Sequence, residues 1–112
     1  MKLDPDQLEA RLMTHGVYVT ELDVDEGRID IEYESIAAGK TNAVPHREVG
    51  RVINVVRDLA ETPRDVHGSV TDLDDEAVGR WRAEAEWLRA LEDEELSEVD
   101  FSQRVIETID ES

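Results

Sequence analysis

The side chains best suited to acid–base or metal chemistry are His15, His46 and His67, the three imidazoles of the chain. A histidine titrates near neutrality and ligates metals through either ring nitrogen, so each is a candidate base or ligand. A metal needs several such donors brought together, and no tight spacing of the H-E-x-x-H kind joins these three. His15 and His67 each precede a glycine at an expected strand entry, where capping of backbone groups is the simpler role. His46-Arg47-Glu48 opens a helix, whose free N–H groups attract anions and where Arg47 adds a positive charge. Gly39-Lys40-Thr41 matches only the tail of a phosphate-binding loop and lacks the upstream glycine at the required distance. The absence of cysteine removes disulfides, thiolate metal sites and a thiol nucleophile together.

Nucleophilic catalysis needs a hydroxyl or amine with a base in reach, and Ser35, Ser69, Ser97 and Ser102 sit in no such pattern. With 29 Asp plus Glu, some carboxylate pairs will fall about 5–9 Å apart in any fold, so spacing alone nominates none. The sequence therefore supplies no catalytic residue, no metal ligand and no cofactor. A small hydrolase or isomerase using His46 or His67 with a neighbouring carboxylate stays open as an alternative. Arg80-Trp81-Arg82 is the one cluster that is both basic and aromatic. On a strand Arg80 and Arg82 share a face opposite Trp81, which places Trp81 in a core and lets the arginines pair with acids such as Glu32 or Glu34. On an open sheet face the same arginines would form a landing site for a partner. Arg80, Arg82, Arg47, Arg51 and His46 are the candidate binding residues.

The elements that must position these groups follow from apolar spacing. Asp4-Pro5-Asp6-Gln7 has helix N-terminal chemistry, Leu8 and Leu12 share a face, and Gly16 suits the left-handed helix end. Val17 to Leu22 and Arg28 to Ile36 read as strands of a hairpin across an Asp23 to Gly27 turn, with Ile29, Ile31 and Tyr33 alternating against Asp30, Glu32 and Glu34. Ala37 to Val44 reads as a loop leading to Pro45, taken as a first-turn proline. Val49, Val52, Ile53, Val56, Leu59 and Ala60 then form a helical stripe that Thr62-Pro63 stops. Val78 to Glu84 reads as a strand, Trp87, Leu88 and Leu91 as a short helix, and Ser97 as the cap of a final helix carrying Phe101, Val105, Ile106 and Ile109.

His67-Gly68 and Val70-Thr71-Asp72-Leu73-Asp74 echo His15-Gly16 and Val19-Thr20-Glu21-Leu22-Asp23, and Gly79-Arg80 echoes Gly27-Arg28. An internal repeat over 4–36 and 45–86, with a helical tail over 87–110, is the expected organisation of a single domain spanning 1–112. The expected fold is α+β: a two-layer sandwich of four antiparallel strands with helices on one face, in the order α-β-β-α-β-β-α-α.

Charge is the strongest compositional signal. Twelve Lys plus Arg against 29 Asp plus Glu give −17 over 112 residues, and the acids run the whole length instead of forming a tail. At about 0.15 M salt the Debye length is about 8 Å and surface carboxylates repel; at about 1 M it is about 3 Å and the repulsion is screened. Such a coat disfavours nucleic acid and anionic membranes at ordinary ionic strength. No apolar run is long enough to span a bilayer, and Met1-Lys2-Leu3-Asp4-Pro5-Asp6 lacks a signal-peptide core, so a cytoplasmic location without membrane contact is expected.

Abundant acids with only two lysines, Lys2 and Lys40, resemble the composition of proteins from salt-accumulating halophilic archaea. The wording Gly79-Arg80-Trp81-Arg82-Ala83-Glu84, with Glu86-Trp87-Leu88, Leu96-Ser97-Glu98-Val99-Asp100-Phe101-Ser102 and Val44-Pro45-His46-Arg47-Glu48-Val49-Gly50-Arg51, is similar to a group of small uncharacterised acidic haloarchaeal proteins. That resemblance implies no activity or cofactor. The function expected is a non-enzymatic halophilic interaction or regulatory module with a protein partner or a second copy. Nucleic-acid contact at high salt through Arg80, Arg82, Arg47 and Arg51 is the alternative. Because screening relieves self-repulsion, thermal unfolding followed by circular dichroism should shift upward by several degrees between about 0.05 M and about 2 M KCl; an unchanged midpoint refutes this.

Overall fold

A computed structural model of the chain describes residues 3–41, 43–60 and 62–111. Helix α1 (Pro5–Thr14) leads into strands β1 (Tyr18–Val24) and β2 (Arg28–Glu34). Helices α2 (Ile36–Thr41) and α3 (His46–Leu59) follow, then strands β3 (Asp65–Thr71) and β4 (Ala77–Ala83). Helices α4 (Ala85–Glu92) and α5 (Glu98–Glu107) and a two-residue strand β5 (Asp110–Glu111) complete the described chain. The mixed α+β character is as expected. Asp4 caps α1 by accepting from the Asp6 N–H at 2.9 Å, Gly16 adopts φ +84° just beyond that helix, and Ser97 caps α5 through the Asp100 N–H.

The sheet itself departs from the antiparallel, four-stranded expectation. Its order is β1-β2-β3-β4-β5, with antiparallel pairs at β1–β2, β3–β4 and β4–β5 but a parallel pair at β2–β3. Each hairpin reverses the chain through a tight turn, whereas the link from β2 to β3 passes through α2 and α3 and returns the chain to the starting end, which enforces parallel pairing. The stretch Ala37 to Val44, expected as a loop, is helical up to Thr41, with the buried Ser35 hydroxyl accepting from the Ala38 N–H; Asn42 lies outside the described residues. Pro45 is the N-cap of α3 and not its first helical residue. The final helix stops at Glu107, and Ile109 belongs to the link into β5.

One face of the sheet is apolar and covered. Ile29, Ile31 and Tyr33 of β2, Val66 and Val70 of β3, and Trp81 and Ala83 of β4 are buried against Leu8, Leu12, Val52, Val56 and Phe101 of the helices. On the covered side of β3 the indole of Trp81 fills the space over Gly68, where a Cβ would overlap the ring. The same indole donates through Nε1 to the Tyr33 hydroxyl at 3.1 Å, so β4 is tied to β2 across the glycine. Burial pushes the Tyr33 phenol above its ordinary range. At the other end of the strands, the buried Arg64 donates to the Asp25 carbonyl at 2.7 Å and fastens the β1–β2 turn to the entry of β3.

Gly68→Ala should therefore destabilise by about 3 kcal/mol, lowering the thermal midpoint by roughly 10 °C. Urea melts of Gly68→Ala, Trp81→Leu and the double variant check the cause, since the alanine should add far less when the ring is gone.

Candidate functional site

The second face of the sheet is polar because the strands alternate, and two irregularities decide which residues it presents. Between Val19 and Glu21 the β1–β2 register shifts by one residue. The extra residue, Thr20, donates its hydroxyl to the Glu32 carbonyl and carboxylate at 3.2 and 3.0 Å. Beyond that bulge Leu22 and Val24 fall opposite Ile31 and Ile29 on the core side, while Glu21 and Asp23 fall opposite Glu32 and Asp30 on the polar side. A second shift, between Val70 and Thr71, lets both Val78 and Gly79 be buried and still leaves Arg80 and Arg82 exposed.

Two rows of side chains then cross the sheet. Asp23, Asp30, His67 and Arg82 are successive register partners from β1 to β4; Glu21, Glu32, Ser69, Arg80 and Asp110 form the parallel row from β1 to β5. His67 and Ser69 of β3 lie at the centre of this face, between the β2 carboxylates and the β4 arginines. A groove of about 280 Å³ lies on its acidic side, lined by Glu21, Asp23, Asp30, Glu32, His67 and Ser69. Another of about 440 Å³ lies between Glu32, Ser69, Arg80 and Asp110. In the acidic half Arg28 donates to both Asp30 oxygens, with its shortest contact 2.8 Å. That hydrogen bond raises the Arg28 pKa further. On the basic half Arg82 pairs with Glu84 at 3.6 Å, and the Thr108 hydroxyl accepts from the Arg82 N–H at 2.9 Å, holding α5 against the edge of β4.

The candidate binding residues are divided by this geometry. Arg80 and Arg82 share the open face. His46 and Arg47 lie in the first turn of α3, in the helical layer, and Arg51 of the same helix lies beside Gly16 at the end of α1. His67 is inside β3 and not at a strand entry, and His15 is the C-cap of α1, so the two histidines matched by the sequence echo hold different places. His46 lines neither the acidic groove beside His67 nor the groove that His67 shares with Arg80, Trp81, Arg82 and Thr108. Among the described residues no three His, Asp or Glu side chains form a group able to hold a metal ion. No helix among them is long and apolar enough to cross a membrane. Sequence reasoning missed Glu21, Asp23 and Ser69. The signal for the first two is the phase change in Val17, Val19, Leu22 and Val24, where an interval of three breaks an alternation of two.

Fold and site together define an α+β protein whose mixed sheet is covered by helices on one side and open on a charged face. The chain belongs to the family described as a domain of unknown function, DUF8159, which matches residues 2–112. No curated protein and no solved structure matches it.

Directly opposed like charges destabilise a sheet, so Glu21→Lys, placing an ammonium opposite Glu32, should raise stability by about 0.5–1 kcal/mol at low salt. The gain should shrink at about 1 M salt. Urea unfolding at both ionic strengths measures it, and equal stabilities at low salt would show that the two carboxylates do not interact.

Proposed function

We propose that the chain is a non-enzymatic interaction or regulatory module adapted to a salt-rich cytoplasm, acting through its open sheet face. The observation that carries this reading is the division of that face into a carboxylate half, with Glu21 against Glu32 and Asp23 against Asp30, and an arginine half at Arg80 and Arg82. Stability alone disfavours opposed carboxylates, and a face presenting both signs suits the mixed charge of a protein surface better than the uniform charge of phosphate. The separation of Arg47 and Arg51 from Arg80 and Arg82 also favours a protein partner over nucleic acid. The high-salt setting is supported by the −17 net charge and two lysines. The single-domain reading, with repeated units over 4–36 and 45–86, draws support from the recurrence of helix, strand, strand on each side of the parallel β2–β3 pairing.

A photo-crosslinking amino acid at Ser69, in the middle of the open face, tests this directly. Irradiation in concentrated-salt extract should give a protein adduct from Ser69, and a label at the exposed Asn54 of α3 should give none. Absence of the Ser69 adduct, or equal labelling from both positions, overturns the reading.

A further inference from the structure

The acidic half of the open face is short of cations, and the opposite half of the same face supplies them in matching positions. Arg80 is two strands from Glu32 in one row and Arg82 is two strands from Asp30 in the other. At about 4.8 Å per strand each arginine is about 10 Å from its carboxylate in backbone terms. Neither pair closes within one chain among the described residues: the ion pair of Arg82 is to Glu84 and that of Asp30 is to Arg28.

We propose that this face is the contact between two copies of the chain, related by a two-fold axis that runs along β3. The proposal rests on the reading of the face as an interaction surface and names its occupant. A rotation about that axis keeps each row at its own height along the strands and exchanges the two sides of the sheet. It lays β4 of one copy over β2 of the other, so Arg80 meets Glu32 and Arg82 meets Asp30, twice over by symmetry. A two-fold axis across the strands would instead lay β2 on β2 and set carboxylate against carboxylate, so the charge pattern selects one arrangement. Glu21 and Asp110 fall toward each other at the corners, where sheet twist carries the two layers apart, and Asp110 keeps Arg80 as its register partner.

Only β2, β3 and β4 overlie full strands of the other copy, since β1 falls over the two-residue β5. Three strands of seven residues give a footprint of about 330 Å² on each copy, about 660 Å² in all, below the size of stable specific interfaces. The dimer is accordingly weak, with dissociation in the range of about 10 μM to 1 mM.

Sedimentation equilibrium on the full chain and two charge-reversed variants tests the pairing. Arg80→Glu with Arg82→Glu makes the facing positions of β2 and β4 all acidic; Asp30→Arg with Glu32→Arg makes them all basic. The wild type should dimerise, each variant alone should associate at least tenfold more weakly, and an equimolar mixture of the two should regain association, which also shows that both are folded. A wild type that stays monomeric at about 1 mM, the upper limit of the expected dissociation range, where about half the chains should be paired, overturns the proposal. So does a dimer that both variants leave intact, or a loss that mixing fails to restore. A Ser69 crosslink to a different protein, with a monomeric wild type, keeps the interaction surface and removes the second copy as its occupant.

Discussion

The contact between Trp81, Gly68 and Tyr33 fixes the register on which the open face depends. A strand-to-strand slip of one residue would exchange the two faces of a strand and carry Arg80 and Arg82 into the core. That slip is blocked because the indole fits only above a residue without a Cβ and because its Nε1 finds the Tyr33 hydroxyl two strands away. Burying an indole removes about 200 Å² from water, worth about 5 kcal/mol before the entropy of ordering it. The hydrogen bond contributes less, but it prevents a buried donor from going unpaired. Packing thus supplies most of the energy and the polar contact supplies the alignment.

Because that alignment is set from the covered side, the exposed side is free to carry charges that do not favour the fold. Glu21 opposite Glu32 and Asp23 opposite Asp30 are such charges. Their presence follows from the Thr20 bulge, which turns Glu21 and Asp23 outward while keeping Leu22 and Val24 in the core. The groups that stabilise the fold and those proposed to meet a partner occupy opposite faces of the same strands, β1 to β4.

Screening links this arrangement to its solvent. In dilute salt the carboxylates repel one another across the whole surface; in concentrated salt the long-range repulsion fades, while contacts at hydrogen-bond distance between arginine and carboxylate are weakened less. On a strongly acidic chain the short-range charge pattern of a two-sign face therefore stands out most where the background charge is masked.

Much of the local structure is determined by the sequence alone. The caps Asp4 and Ser97, the left-handed Gly16, the stripe from Val49 to Val56 and the alternation of Ile29, Ile31 and Tyr33 against Asp30, Glu32 and Glu34 rest on neighbours within a few positions, so periodicity and side-chain chemistry suffice to place them. Tertiary structure decided what no local pattern encodes: the parallel pairing of β2 with β3, the fifth strand at Asp110, and the separation of His46, Arg47 and Arg51 from Arg80 and Arg82. These depend on which side of the sheet the α2–α3 crossover takes and which edge of β4 the α5 segment reaches. Such choices are made by contacts between residues far apart in the chain, such as Trp81 with Tyr33 and Arg82 with Thr108.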